Sequence, residues 1–334
     1  MRDPHRASNY VLLVALACTF APRVAADDAK AAFQNVQRAA VEVLVDDRLA
    51  GSGCFVSRDG LIVTAAHVLG RPDRRVEVRT THAGRLDASV VAVDLGHDLA
   101  LLRVEPRDDG HPFVTPGDDT LALRQRVWLY GAPMFRHDIL LHGRVARPTV
   151  GFEWLPNEKR YVGCYFVSGP SPSGTSGGAW FNDAGQLVGV QSGMMTANNS
   201  SVGVSFVAPV AAVRRLIDSG RSTRTPTVGG AFEEVWEQSH DYLKRLPPRT
   251  EGLVARVLIE DGPLAKAGVQ QWQVVTAIDG QTVRLRDELL AAVRAKKPGD
   301  AVELTILNPD DGGSTTVKVT LDALETTWQP TEKE

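Results

Sequence analysis

The chain has 334 residues, a length that suits two or three domains with a sizeable core. Hydrophobic residues make up 43% of it and charged residues 23%, as in ordinary globular proteins. The formal net charge of −3 carries no polybasic signature and argues against nucleic acid as a partner. Nothing after the N-terminal segment is apolar for long enough to predict a membrane-spanning helix.

The N-terminal segment has the pattern of an export signal. Arg2 and Arg6 form a short positive region, residues 11–20 are apolar, and Val24-Ala25-Ala26 offers small residues for cleavage. The sequence therefore predicts a signal peptide over residues 1–26. It predicts an exported protein, located in the periplasm or cell envelope of a bacterium or secreted. A first core helix or strand and an uncleaved anchor are the alternative interpretations.

After a short helix or arm over residues 27–40, the chain changes to short β-rich runs separated by Gly, Pro and Asp. Closely spaced strands without long helices between them predict a barrel or sandwich. We expect two β-barrels, followed by a helix from Pro209 to about Ile217. The predicted strands are residues 41–45, 60–64, 76–79, 90–93, 99–104, 126–130, 161–167, 186–190 and 202–207.

The three cysteines bear on export and oxidation. Cys18 follows small residues, as in the lipidation motif of bacterial lipoproteins, and the chain would be held at a membrane only if this cysteine were lipidated. Removal of the signal would leave Cys54 and Cys164, which could form a disulfide in an oxidising compartment. Because both lie in apolar segments of different predicted barrels, the sequence favours two buried free thiols.

Residues 218–226 are polar and rich in turn-forming residues, which predicts a linker, placed at 221–226. A second, smaller module of alternating short helices and strands follows, and the residues after Ala323 have the composition of a tail. The predicted helices are 241–246, 262–268 and 286–294, and the predicted strands are 252–258, a strand ending at 278, 302–307 and 315–321.

Three segments carry candidate catalytic residues. His67 follows a small-residue turn, Asp98 opens an apolar run, and Ser176 stands in the glycine-rich stretch 174–178. Each alone is common: such a serine usually marks a surface turn, the histidine could end a strand, and the aspartate could cap a turn. The order His, Asp, Ser is that of two-barrel serine proteases, and the combination predicts an active site between the barrels.

These residue types match the needs of acyl transfer. A seryl hydroxyl is a poor nucleophile near neutral pH, so Ser176 needs His67 as its base, and Asp98 would fix the imidazole tautomer. The backbone N–H groups of Gly174 and Ser176 would form the oxyanion hole.

The remaining histidines show no metal-ligand spacing, and neither a metal nor a cofactor is implied. His97 is interpreted as a neighbour of the catalytic aspartate. The others are interpreted as surface or packing residues: His82, His111, His137, His142 and His240.

Several segments resemble one known family. Residues 51–68 resemble the histidine segment of the HtrA/DegP family of exported serine proteases. The Asp98 segment, residues 127–133 and residues 203–209 follow the family in the same order, and the second module resembles a PDZ domain.

The resemblance covers about residues 41–323 and implies a mainly β fold. It would consist of two six-stranded-type β-barrels of the chymotrypsin kind plus a smaller α+β PDZ domain. The expected boundaries are a signal peptide (1–26), a trypsin-like serine protease domain (27–220), a linker (221–226), a PDZ domain (227–323) and a tail (324–334).

The resemblance also implies a function. It suggests an ATP-independent serine endopeptidase that degrades or processes unfolded or damaged proteins, with the PDZ domain capturing extended peptide ends. Partners would be unfolded or extended polypeptides, and a homotrimer assembled through the N-terminal arm is one expectation. The alternatives are a peptide-binding chaperone or stress sensor with a largely idle protease domain, and a dedicated processing protease with one natural target.

Substrate selection is predicted from the trypsin-type pocket. In that pocket an Asp six residues before the nucleophile selects Lys or Arg, whereas this chain has Pro170 there. No carboxylate is available to pair with a buried cation. The other expected pocket residues are small or apolar: Ser192, Gly193, Ser205 and Phe206. The sequence predicts cleavage after small or medium apolar residues.

Two motifs depart from the family pattern. Ser173, Thr175 and Ala179 stand where the family usually has Pro, Asn and Pro around the nucleophile. The loop that binds peptide carboxylates in PDZ domains is usually aromatic-apolar-Gly-apolar, and here it follows Thr227. The expected peptide-binding residues are Val228, Gly229 and Gly230.

Overall fold

A computed structural model describes residues 26–70, 74–198 and 200–324. Most of the predicted signal peptide, with Cys18, lies outside the described residues, as do tail residues 325–334. The first described element is helix α1 (Ala26–Ala39), which accords with the predicted arm. Its Phe33 ring packs edge-on against Trp128 at 5.1 Å and Phe181 at 5.7 Å, which holds the arm on the body of the protein.

The first barrel is a closed sheet of six antiparallel strands in the order β1-β2-β3-β6-β5-β4. Its strands are β1 (Ala40–Val45), β2 (Arg48–Phe55), β3 (Leu61–Ala65), β4 (Val76–Thr80), β5 (Gly84–Asp94) and β6 (Leu99–Arg103). Helix α2 (Ala66–Leu69) follows β3 directly. The apolar side chains of β3 and β6 are buried except for the half-buried Leu61, which explains why these segments are strongly apolar in the sequence.

The second barrel is also closed, in the order β10-β11-β12-β9-β8-β7. Its strands are β7 (Arg126–Gly131), β8 (Ile139–Leu155), β9 (Arg160–Ser168), β10 (Ala179–Phe181), β11 (Leu187–Ala197) and β12 (Ser200–Pro209). Helix α3 (Val210–Ser219) closes this part of the chain. It ends at Gly220, whose left-handed conformation lets its N–H reach the Leu216 carbonyl.

The smaller module predicted after the linker is the third module of the structure, since it follows the two barrels. It contains a sheet in the order β14-β15-β16-β18-β19, so β14 lies at an edge. Its strands are β13 (Pro226–Thr227), β14 (Gly230–Glu234), β15 (Leu253–Leu258), β16 (Val274–Ile278), β17 (Gln281–Thr282), β18 (Ala301–Leu307), β19 (Ser314–Thr320) and β20 (Asp322–Ala323), and its helices are α4 (His240–Leu243), α5 (Pro263–Lys266) and α6 (Arg286–Arg294). β13 pairs with β20 in a separate two-stranded sheet, which brings the two ends of the module together.

The mainly β fold with two six-stranded barrels and a smaller α+β module is confirmed, and every predicted barrel strand coincides with an observed one. Seven observed strands lie outside the predicted ones: β2, β8, β10, β13, β14, β17 and β20. In β2 the reason is its glycines, which are poor strand formers. A Cβ at Gly51 would lie 2.7 Å from the Ser176 carbonyl oxygen, and one at Gly53 would lie 2.8 Å from the Val63 carbonyl oxygen. Close backbone approach therefore requires glycine there.

The expected state of the cysteines is confirmed. Cys54 on β2 and Cys164 on β9 are both buried and free, and they belong to different barrels. Burial raises the pKa of the Cys54 thiol to about 12, so this thiol stays protonated and unreactive near neutral pH. None of the described helices has the length and apolar character needed to cross a membrane.

Candidate active site

His67 and Asp98 are brought together by neighbouring strands of the first barrel. Ala65, at the end of β3, pairs with Leu99, at the start of β6, so the residues just beyond these positions lie side by side. The His67 Nδ1 atom is 2.6 Å from Asp98 Oδ2, and the His67 backbone N–H donates to Asp98 Oδ1 at 3.0 Å. The aspartate therefore orients both the imidazole ring and the backbone that carries it.

Asp98 is completely buried and has four hydrogen-bond donors. Besides the two from His67, the Ser192 hydroxyl donates to Oδ2 at 2.6 Å and the Arg160 Nη2 group donates to Oδ1 at 3.2 Å. Burial by itself raises the pKa of this carboxyl, but His67, Arg160 and Ser192 outweigh it and bring the pKa to about 2. A buried carboxylate is thus kept ionised.

His67 is in a state suited to proton transfer. Its side chain is 24% exposed, and it lies against the buried Asp98. Burial lowers the pKa of the imidazole, but the charge and hydrogen bond of Asp98, with a contribution from Glu158, outweigh burial and raise it above its ordinary value. Arg160 acts in the opposite direction. Among the described residues, the side-chain hydrogen bond of His67 joins its Nδ1 atom to Asp98. The other ring nitrogen, Nε2, is therefore left for another partner.

Ser176 reaches the same place from the second barrel. It is half-buried in the loop before β10, and its carbonyl oxygen accepts the Ser52 N–H at 2.7 Å. A Cβ at the next residue, Gly177, would lie 2.9 Å from the Ala65 backbone nitrogen, two residues before His67. The Ser176 loop is therefore packed against strand β3, at the end that leads to His67.

Gly174 has a backbone conformation that only glycine adopts easily, with φ of +93°. A Cβ there would lie 2.2 Å from the Ala132 carbonyl oxygen. The Ser52 hydroxyl donates to the Gly174 carbonyl at 2.8 Å and accepts the Ala132 N–H at 3.1 Å, which links the two barrels at this loop. No acceptor for the N–H groups of Gly174 or Ser176 lies within the ranges that the structure describes.

The predicted pocket residues lie in different surroundings. Ser205 is buried, and its hydroxyl donates to the Gly169 carbonyl at 2.9 Å and contacts the Ser171 hydroxyl at 2.7 Å. Phe206 packs edge-on against Phe166, and a Cβ at Gly193 would lie 3.1 Å from the Phe206 ring. Pro170 is exposed. The Ser192 hydroxyl is directed to Asp98, a role that sequence reasoning missed.

The edge strand β14 of the third module is in contact with the second barrel. The Tyr161 hydroxyl, at the start of β9, accepts the Phe232 N–H at 2.9 Å and donates to the Phe232 carbonyl at 3.2 Å. From α6, the Asp287 carboxylate accepts the Phe152 N–H at 2.9 Å and Arg294 donates to the Tyr161 carbonyl at 2.8 Å. The end of the β8–β9 hairpin thus lies between β14 and α6.

The predicted carboxylate-binding loop precedes β14. Val228 is buried, and Gly229 has a φ of +74° and donates its N–H to the Thr227 hydroxyl at 3.1 Å. Gly230 begins β14 and pairs with Leu258. The loop therefore has an ordered backbone stabilised by its own threonine.

Comparison with known proteins identifies both parts of the chain. Residues 51–190 match the trypsin-like peptidase domain family, and residues 238–321 match the PDZ domain family. A probable periplasmic serine endoprotease DegP-like from Pseudomonas fulva is 32% identical over 278 residues, which are 82% of this chain and 56% of the relative. The serine protease PepD of Mycobacterium tuberculosis is 30% identical over 293 residues, covering 82% of this chain and 61% of the relative. The chain thus spans little more than half the length of these curated relatives.

Solved structures share the fold. The HtrA-type protease AlgW, solved with a decapeptide, superposes with a TM-score of 0.63 at 19% identity, covering 88% of this chain and 98% of AlgW. The serine endoprotease from Yersinia pestis superposes with a TM-score of 0.58 at 20% identity, covering 89% of this chain and 98% of that one. With a trypsin-like peptidase domain followed by a PDZ domain, the chain belongs to the HtrA/DegP family of serine proteases.

Proposed function

We propose that the protein is an exported serine endopeptidase that hydrolyses unfolded or damaged polypeptides, with His67, Asp98 and Ser176 as its catalytic triad. The observation that carries this proposal is the buried, ionised Asp98 bonded to His67 at 2.6 Å, with the Ser176 loop packed beside them. Relatives named as periplasmic endoproteases support export to the periplasm. Turnover of an unfolded casein substrate by the purified protein tests it directly.

The geometry supports acyl-enzyme catalysis. His67 takes the proton of Ser176 as the hydroxyl oxygen attacks the scissile carbonyl carbon, and Asp98 stabilises the imidazolium that forms. The N–H groups of Gly174 and Ser176 donate to the oxyanion. His67 then gives the proton to the leaving amine, and water, activated by the same base, releases the acyl group from Ser176.

The composition of the predicted pocket residues supports cleavage after small or medium apolar residues. The pocket residues named above include no carboxylate, and the buried polar groups at Ser171 and Ser205 are satisfied by each other and by the Gly169 carbonyl. A lysine or arginine side chain would bury its charge there without a partner, which is costly. Mass-spectrometric mapping of cut sites tests this part of the proposal.

The pH dependence of activity is expected to report the ionisation of His67. Only the neutral imidazole is a base, and its pKa is raised, so kcat/KM should fall as the pH drops through a value above about 6.5. Asp98, with a pKa of about 2, stays ionised across this range. Profiles of kcat/KM with a peptide substrate measure the midpoint, and a midpoint well below the ordinary histidine value would contradict the arrangement.

The PDZ domain is proposed to capture extended peptide ends at β14 through the loop containing Val228, Gly229 and Gly230. Strand addition requires the backbone of an edge strand to be free. Here the Tyr161 hydroxyl bonds both polar groups of Phe232 on that strand. Peptide capture therefore requires Tyr161 to leave β14, and the hairpin that carries it competes with the peptide.

Replacing Tyr161 with phenylalanine is expected to tighten peptide binding by roughly fivefold to thirtyfold, since two hydrogen bonds of about 1 kcal/mol each no longer oppose it. Fluorescence anisotropy with a labelled peptide ending in an apolar residue with a free carboxylate measures the change. Tyr165→Phe is the matched control, because its hydroxyl contacts the Val188 carbonyl inside the barrel. Equal affinities for the wild type and Tyr161→Phe would contradict the competition.

The covered β14 edge favours one second candidate function, a stress sensor whose protease is largely idle until a peptide displaces the hairpin. The two candidates differ in basal activity. Steady degradation of casein that is lost in Ser176→Ala supports the endopeptidase, whereas activity that appears only after peptide addition supports the sensor.

A further inference from the structure

A buried guanidinium lies directly behind the proposed triad. The Arg160 side chain is 10% exposed and is held between two carboxylates. Its Nη2 atom is 3.2 Å from Asp98 Oδ1, and its Nη1 atom is 3.0 Å from Glu158 Oε2. Arg160 begins β9, and Glu158 lies in the turn that precedes it. A residue of the second barrel thus binds an aspartate of the first.

The contact restrains the orientation of the carboxylate. Oδ2 of Asp98 faces His67 Nδ1 and the Ser192 hydroxyl, while Oδ1 receives the His67 backbone N–H and Arg160. With donors on both oxygens, the carboxylate plane cannot rotate without breaking a charge-assisted bond. Loss of Arg160 would leave Oδ1 with one backbone donor in a site without access to bulk water.

The same contact changes the charge that His67 experiences. A cation behind Asp98 reduces the attraction of the imidazole for a proton, and a carboxylate beside that cation restores part of it. Arg160 lowers the pKa of His67 and Glu158 raises it. Glu158 and Arg160 therefore act on the proposed base in opposite directions.

The neighbouring carboxylate of Asp94 has its own partner. Asp94, the last residue of β5, contacts the His97 Nδ1 atom at 2.8 Å. Although burial raises the pKa of this carboxyl, the charges of His97, Arg294 and Arg215 lower it. Among the described residues, the charged groups with the largest effects on the pKa of His67 are Asp98, Glu158 and Arg160. The effect of changing Arg160 or Glu158 can thus be attributed to the triad.

We propose that Arg160 is a positioning residue of the triad, whose guanidinium holds the Asp98 carboxylate against His67, and that Glu158 balances the effect of this charge on the imidazole. The role rests on the proposed function, since it acts through the triad. Arg160 does not touch the substrate or the reacting atoms.

The test compares the pH dependence of kcat/KM in three variants: Arg160→Gln, Arg160→Lys and Glu158→Gln. Arg160→Gln is expected to lower kcat by about tenfold to a hundredfold. It is also expected to raise the midpoint of the acid limb, the pH at which kcat/KM falls on the acid side of the profile, by roughly half a pH unit. Glu158→Gln is expected to move the acid limb down. Arg160→Lys keeps the charge, so its acid limb should stay near that of the wild type with kcat partly restored. Arg126→Gln, which breaks an exposed pair with Asp183, is the matched control.

A second readout does not depend on turnover. NMR titration of the His67 imidazole in the Ser176→Ala background should show the same opposite shifts for Arg160→Gln and Glu158→Gln. If the wild type shows no protease activity, the proposed function fails while this titration still tests the contact. Shifts of the two variants in the same direction, or no shift beyond that of Arg126→Gln, would overturn the proposal.

Discussion

Replacing Ser176 with alanine is expected to reduce turnover of an unfolded protein by roughly 10⁴-fold to 10⁶-fold while leaving the fold intact. In the proposed mechanism, loss of the hydroxyl leaves His67 without a nucleophile to activate, and only the proposed oxyanion hole and substrate binding remain. His67→Ala should be comparably severe. Asp98→Asn should cost on the order of 10⁴-fold, because the amide would favour the wrong imidazole tautomer. Casein degradation and thermal unfolding, measured on each variant, separate loss of activity from loss of structure.

Ser89→Ala serves as the control for this series, because Ser89 is an exposed serine of the first barrel on β5. It should retain wild-type turnover. Labelling with a serine-directed fluorophosphonate should likewise disappear in Ser176→Ala and persist in Ser89→Ala. Activity of Ser176→Ala within tenfold of the wild type would refute the assignment of the nucleophile.

Replacing Gly174 with alanine is expected to reduce kcat by about 10²-fold to 10³-fold. The free energy of unfolding should also fall, but the protein should stay folded. The new Cβ would lie 2.2 Å from the Ala132 carbonyl oxygen, so the loop must shift. That shift would move the Gly174 N–H away from the proposed position of the oxyanion. The measurement is kcat on a short peptide substrate, together with the free energy of unfolding.

Gly203→Ala separates this effect from simple backbone strain. Gly203 also has a positive φ, +77° against +93° for Gly174, but an added Cβ there meets no atom within 4 Å. Both variants should lose about 1 kcal/mol of stability from the left-handed conformation, and Gly174→Ala should lose more because its Cβ meets the Ala132 carbonyl oxygen. Only Gly174→Ala should lose activity, and similar kcat values for the two would contradict the oxyanion-hole assignment.

The barrel strands were predictable because their signal is local. Apolar runs such as 41–45, which is rich in valine, and 99–104, which is rich in leucine, are largely buried on closed sheets, and they predict strands without knowledge of their partners. The order of His67, Asp98 and Ser176 in the chain was likewise sufficient to identify the candidate catalytic residues. The two short motifs at Ala65–His67 and Gly174–Gly178 carry this signal because their small residues permit close backbone approach.

Strands with an unfavourable composition depended on tertiary structure. β2 contains Gly51 and Gly53 because the Ser176 loop and β3 pass too close for a side chain. β8 is long and has register shifts near Val145 and Arg147, so no simple alternation marks it. Local propensity could not identify either strand, since the contacts that stabilise them come from residues distant in the chain.

The contacts between barrels, and between the second barrel and the PDZ domain, were decided by the fold alone. Ser192, Arg160 and Tyr161 carry no motif, yet the first two bind Asp98 and the third covers β14. Their roles depend on which side chains meet when two closed sheets and a third module pack together. The sequence by itself determined the chemistry and the domain types, because these reside in short motifs. Only the tertiary structure decided what surrounds Asp98 and what covers the edge strand β14, because these depend on long-range packing.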